Sequence, residues 1–122
     1  MSTTKTRITR IGTVLVPVSD QDAALRFFTE RLGFETRIDG EFGGGERWIE
    51  VAPPGAETSL ALVASQAATV SFATDDADAA HAELRAQGVD VDAEILRLGE
   101  GVPPMFTFRD PDGSLYRVVE RD

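Results

Sequence analysis

The chain consists of two similar halves, and this internal repeat restricts its fold more than any other feature. The tripeptide DAA at 22–24 recurs at 78–80, which is a shift of 56 positions. The turn PPG at 53–55 corresponds to PDG at 111–113, with a small difference in loop length. Repeats of this length indicate that one supersecondary unit has been used twice.

Each half predicts the same order of elements: one strand, one helix and then three strands. Apolar, β-branched runs indicate the strands, and apolar residues at helical spacing followed by glycine indicate the helices. GEFGGG at 40–45 is typical of a flexible turn. The first half predicts a strand at 11–18, a helix at 21–32, and strands at 34–38, 47–52 and 58–64. The second predicts a strand at 69–74, a helix from Asp75 or Asp76 to Gly88, and strands at 93–98, 105–109 and 115–120.

The fold class that follows is α+β, with tandem βαβββ modules. A chain of 122 residues has room for one domain, and its 42% hydrophobic content supports one core. We therefore expect a single domain over residues 1–122, with a first module at about 8–65 and a second at about 67–122.

Charge and cysteine content exclude several classes of partner. The 21 acidic and 12 basic residues give a net charge of -9, which repels nucleic acid and anionic membrane surfaces. With no cysteine, the chain has no disulfide, thiolate metal site or thiol nucleophile. No signal sequence or membrane span is evident either, so we expect a cytoplasmic protein.

Two motifs resemble the vicinal oxygen chelate superfamily, which includes glyoxalases, bleomycin resistance proteins and dioxygenases. They are VPVSDQDAALRFFTERLGFE at 16–35 and FRDPDGSLYRVVE at 108–120, and the resemblance extends over nearly the whole chain. It implies that two βαβββ modules curl into an open eight-stranded sheet or barrel with the helices outside. It also implies a ligand on the concave face and a homodimer.

The resemblance further implies where metal ligands would lie in the metal-dependent members. These positions carry Thr13 and Thr69 on the first strands of the modules, and Ala61 and Arg117 on the last strands. Divalent metals need carboxylate or imidazole donors, and a guanidinium only adds repulsion. The single histidine, His81, lies in the second predicted helix and is expected to be structural. We therefore expect no metal and no other cofactor.

Strand alternation predicts which side chains line the concave face. Ile49 and Val51 suit the face that packs on the helix, which leaves Trp48 and Glu50 for the ligand. A buried Arg117 needs either a protein carboxylate such as Glu50 or an anionic ligand, and both remain open. Trp48 suits a pocket or a dimer interface. The predicted ligand-binding residues are Trp48, Glu50, Arg117, Thr13, Thr69, Leu15 and Ala61.

These features favour a metal-free, glyoxalase-like protein that binds a small molecule rather than catalysing a reaction. The resemblance suggests drug or metabolite sequestration, as in bleomycin resistance and other antibiotic resistance. The alternative is a glyoxalase-type lyase or isomerase, or a dioxygenase. Such an enzyme would depend on a metal or would use Arg117 and Glu50 in its place.

Overall fold

The computed structural model describes residues 7–42, 45–64 and 70–121. By their contacts these residues fall into a first unit, within residues 12–64, and a second unit, which combines residues 70–121 with 7–11. Each unit has one strand, one helix and three further strands in that order. The predicted fold class, α+β with tandem βαβββ modules and eight strands, is confirmed. The single domain and its module boundaries remain predictions.

The elements agree with most of the predicted positions to within a few residues. The first unit contains most of β1 (Ile8–Pro17), then α1 (Gln21–Arg26), a π-helical turn (Phe27–Arg31), β2 (Glu35–Phe42), β3 (Glu46–Ala52) and β4 (Ser59–Val63). The second contains β5 (Val70–Thr74), α2 (Ala77–Ala86), β6 (Asp90–Val91), β7 (Met105–Arg109) and β8 (Leu115–Glu120).

Both units pair their strands in the same way. In the first unit, β1 runs parallel to β4, with Thr13 opposite Ser59, and β4, β3 and β2 follow as antiparallel neighbours. In the second unit, β5 runs parallel to β8, and β8, β7 and β6 follow as antiparallel neighbours. The strand orders β2-β3-β4-β1 and β6-β7-β8-β5 are therefore equivalent, as the repeat requires.

Aspartates begin both helices. The side chains of Asp20 and Asp76 accept hydrogen bonds of 3.0 Å from the backbone N–H groups of Ala23 and Ala79. No helix among the described residues is long and apolar enough to span a membrane.

The first helix has its predicted extent to within one residue but changes its type within that span. It is α-helical only to Arg26 and continues as a π-helical turn to Arg31. The Thr29 hydroxyl donates to the Leu25 carbonyl at 2.8 Å, where it competes with the backbone hydrogen bond of an α-helix. Gly33, with φ at 73°, then ends the helix as predicted.

Alternating side chains give the sheet of the first unit two different faces. Ile49, Val51 and Leu62 are buried on the side that packs against α1. Leu15, Ala61 and Val63 form a separate cluster, against which Trp48 packs. In the second unit the buried cluster consists of Ala80, Leu84, Phe106 and Val118.

The turn predicted at 40–45 is wrong in its first half. Strand β2 continues to Phe42, and Gly40 and Glu41 pair with Trp48 and Arg47 of β3. Residues 43–44 lie outside the described residues, and Gly45, with φ at 80°, is in a turn as predicted. Pairing with β3 thus extends the strand through residues whose composition predicts a turn.

The strand predicted at 93–98 is also wrong. Only β6 and one isolated bridge, Leu96 to Met105, pair with β7 in this region. Beyond that bridge the opposing chain carries Pro103 and Pro104, which have no N–H to continue a ladder. Before the bridge, four residues lie between Val91 and Leu96 but only two lie between their partners Phe108 and Met105, so the register is broken there.

The Asp92 side chain holds this irregular segment against β7. Its carboxylate accepts hydrogen bonds from the backbone N–H of Thr107 at 3.0 Å, from the Thr107 hydroxyl, and from Arg109 Nη2 at 3.1 Å. Burial alone would raise the pKa of Asp92, but the hydrogen bonds from Thr107 and Arg109 outweigh it and lower the pKa.

Replacing Asp92 is expected to produce a pH-dependent loss of stability. A carboxyl whose pKa is lowered by folding stabilises the protein above its unfolded pKa, and this contribution disappears as the pH falls through the folded pKa. We expect Asp92→Asn to lower the free energy of unfolding by about 0.5–1.5 kcal/mol at neutral pH. In urea unfolding, the difference from the wild type should shrink below roughly pH 4.

Asp90→Asn is the matched control for that prediction. The Asp90 carboxylate lies 3.8 Å from Arg109 Nη1, and its side chain is 74% exposed, so its replacement should have a smaller effect. If Asp92→Asn lowers the free energy of unfolding by the same amount at pH 7 and at pH 3, the result would contradict a stabilising role of the ionised carboxylate.

Candidate functional site

A chain of buried polar groups crosses one face of the first unit. The Trp48 indole N–H donates to one oxygen of Glu50 at 2.7 Å, and the Ser59 hydroxyl donates to the other at 2.7 Å. The Ser59 and Thr13 hydroxyl oxygens lie 3.4 Å apart, and either can donate. Glu50 is only 4% exposed. A carboxylate, an indole and two hydroxyls thus form one network on three adjacent strands.

The structure brings together five of the seven predicted ligand-binding residues. They lie on β1, β3 and β4, where strand alternation places them on the same face. Thr69 lies outside the described residues. Arg117 lies on β8 of the second unit, where it is opposite Ser71 on β5 and Thr107 on β7. The five residues of the first unit are Thr13, Leu15, Trp48, Glu50 and Ala61.

A cavity of about 260 Å³ adjoins Trp48 within the first unit. This is slightly below the range of about 300–1,000 Å³ typical of sites for drug-sized ligands, so it suits a molecule with a single ring. Trp48 belongs both to the cavity wall and to the polar network, because its N–H binds Glu50. The cavity is lined by Gln21, Gly45, Glu46, Arg47, Trp48, Val63 and Ala64.

The sequence did not identify Gln21 and Arg47 as residues of this site. The Gln21 amide nitrogen donates to the backbone carbonyls of Arg47 and Leu62, both at 2.9 Å, and so joins the start of α1 to β3 and β4. A polar residue just after a helix cap is the only local signal for Gln21. It does not reveal which strands the side chain meets.

The guanidinium of Arg47 joins three elements by ion pairs. It contacts Asp22 of α1 at 2.6 Å and binds Asp39 of β2 through two nitrogens, at 2.9 and 3.0 Å. The hydrogen bonds to Asp39 and Asp22 raise the pKa of Arg47, and the hydrogen bond from Arg47 lowers the pKa of Asp39. Arg47 and Asp39 therefore stay charged across the ordinary pH range.

The residues at the metal positions implied by the family do not fit a divalent ion. Ala61 has no donor atom, the Thr13 hydroxyl lies beside Ser59, and Arg117 is a cation. Across residues 7–42, 45–64 and 70–121, no group of three or more His, Asp or Glu side chains is placed to hold a metal. His81 instead contacts the carbonyl of Asp92 through Nε2 at 2.7 Å.

The chain belongs to the Glyoxalase/Bleomycin resistance protein/Dioxygenase superfamily, whose family model matches residues 10–118. The resemblance seen in the two sequence motifs is thereby confirmed.

Two relatives and one solved structure are similar to this chain. Uncharacterized protein YetH of Bacillus subtilis (strain 168) is 32% identical over 121 residues, covering 93% of this chain and 99% of the relative. Uncharacterized protein YurT of the same organism is 30% identical, covering 85% and 93%. Methylmalonyl-CoA epimerase from Mycobacterium tuberculosis superimposes with a TM-score of 0.80 over 100% of this chain and 93% of its own. That structure is 23% identical, so the likeness establishes the fold alone.

Proposed function

We propose that this protein binds a small organic molecule at the Trp48 cavity of the first unit. The observation that carries the proposal is that Trp48 forms part of the cavity wall and also donates to the buried Glu50 of the polar network. A concave site with a large aromatic wall and a few fixed polar groups is typical of small-molecule sites. Membership of a superfamily that includes bleomycin resistance proteins supports the same function.

The contrast between the two faces of the sheet argues that the network is functional. On the α1 side, β3 and β4 bury only apolar side chains, Ile49, Val51 and Leu62. On the opposite side the same strands bury the Glu50 carboxylate, although burial of an ion has a desolvation penalty of several kcal/mol. Packing alone favours apolar residues, so the polar network on this face supports a functional role for it.

Binding without catalysis is the function that we favour. Family enzymes use the metal as a Lewis acid, and Thr13, Ala61 and Arg117 supply no donor set for one. We further propose that the protein sequesters a drug or metabolite as a cytoplasmic homodimer.

Two measurements on untagged protein purified without chelator distinguish the enzymatic alternative from ligand binding without catalysis. These are the metal content and the turnover of glyoxalase-type substrates. Stoichiometric metal that is needed for turnover would overturn the proposal of a binding protein. Turnover without metal that disappears in Arg117→Met would instead support an enzyme that uses its own charges.

The ligand-binding proposal predicts a saturable response of Trp48. A thermal-shift screen of single-ring compounds should find molecules whose stabilisation grows with concentration, because only the native state binds them. Such molecules should also change the fluorescence of the single tryptophan. By calorimetry, Trp48→Leu should weaken their binding by about 10- to 100-fold through loss of ring contact.

Phe27→Leu is the control for that substitution, since Phe27 is an exposed aromatic residue on the π-helical turn and does not line the cavity. It should leave binding unchanged. A Trp48→Leu protein that binds every hit with wild-type affinity would show that the ligand lies elsewhere.

A further inference from the structure

Two side chains of the Trp48 cavity, Gln21 and Trp48, already use their hydrogen-bond donors within the protein. An amide NH₂ can donate two hydrogen bonds, and that of Gln21 donates to two backbone carbonyls. The indole N–H of Trp48 donates to Glu50. The polar atom that Gln21 retains for a ligand is its carbonyl oxygen, which can only accept a hydrogen bond.

The charges around the cavity favour a positive ligand. The charged residues of the lining are Arg47 and Glu46. The positive charge of Arg47 is compensated by two carboxylates outside the lining, Asp22 and Asp39. An anion would meet a guanidinium that these carboxylates already hold, whereas a cation or a hydrogen-bond donor would find the Glu46 carboxylate as an acceptor.

We infer that the Trp48 cavity takes a small organic cation, an amine or quaternary ammonium compound with a body of about one ring. The inference rests on the proposed binding function and narrows its ligand class. The face of an indole attracts cations more strongly than other aromatic side chains do. The net charge of -9 also draws cations toward the protein.

Three ligands of matched shape and different charge test the inference. Benzyltrimethylammonium, benzyl alcohol and benzoate share one ring and carry a positive, a neutral and a negative group. Each is titrated into ¹⁵N-labelled full-length protein while the single indole N–H signal of Trp48 is followed by NMR. We expect a saturable shift with benzyltrimethylammonium, at least about tenfold weaker binding of benzyl alcohol, and no saturable shift with benzoate.

Glu46→Gln tests the contribution of charge without disturbing the fold, because Glu46 is exposed. It should weaken binding of the cation by about two- to fivefold and leave benzyl alcohol unchanged. Glu30→Gln makes the same change in net charge on the π-helical turn, outside the cavity lining, and should have no effect. Added salt should weaken binding of the cation alone.

The outcomes separate this inference from the function on which it rests. Saturable binding of benzyl alcohol or benzoate at least as tight as that of the cation would overturn the inference and support the binding function. No shift of the Trp48 signal with any of the three ligands would also overturn the inference. The single-ring screen would then decide the binding function by itself.

Discussion

Phe106→Ala is expected to lower the free energy of unfolding by about 3–5 kcal/mol, the largest stability effect that we expect from a single substitution. Phe106 is 2% exposed and packs with Ala80, Leu84 and Val118 in the second unit. Its ring also meets the ring of His81 edge to face, with centroids 5.0 Å apart. Truncation removes the buried apolar surface and leaves a void that α2 and the strands cannot fully close.

Phe27→Ala provides a control with the same change of side chain. Phe27 is 52% exposed and has an edge-to-face contact with Phe28, so its truncation should cost about 1 kcal/mol or less. Urea unfolding of both variants, followed by circular dichroism, measures the difference. Equal losses would mean that Phe106 is not a principal core residue of the second unit.

The internal repeat and the residues that mark turns and helix ends were sufficient to predict most of the fold. Strands β7 and β8 occur at their predicted positions, because the PDG turn between them is encoded locally. The Asp110 carboxylate accepts from the backbone N–H groups of Asp112 and Ser114, at 2.9 and 3.0 Å, as a turn aspartate should. Where a signal lies within a few residues, sequence reasoning succeeds.

The errors arose where a distant segment decides the local structure. Residues 93–98 contain apolar residues suited to a strand, but Pro103 and Pro104 on the opposing segment cannot pair with them. Residues 40–42 look like a turn and become a strand because β3 lies beside them. A single sequence shows each segment and does not show its neighbour.

The same distinction between local and distant signals applies to the candidate site. Alternation along β3 correctly placed Trp48 and Glu50 on the face opposite Ile49, because a period of two residues is a local property. The ion pairs of Arg47 with Asp22 and Asp39 join three elements, and no spacing in the sequence reveals them. Whether the predicted residues bind a ligand remains a prediction.

Glu50→Ala is expected to remove ligand binding and to lower the free energy of unfolding by about 2–4 kcal/mol. The carboxylate accepts from Trp48 and from Ser59, and hydrogen bonds to charged groups contribute about 1.5–3 kcal/mol each. Ser59 can turn its proton toward Thr13, whose oxygen is 3.4 Å away, so part of the loss is recovered. The indole N–H of Trp48 loses its acceptor, and the ring is no longer held in one orientation beside the cavity.

Glu50→Gln distinguishes the hydrogen-bond network from the bulk of the side chain. The amide oxygen can accept from Trp48, and the amide nitrogen can donate to Ser59 if the Ser59 proton turns to Thr13. The network then survives with its directions partly reversed, so this variant should lose less than half as much stability as Glu50→Ala. Urea unfolding and the Trp48 emission maximum measure both effects. If Glu50→Gln is as unstable as Glu50→Ala, the negative charge of Glu50, rather than its hydrogen bonds, holds this face of the first unit together.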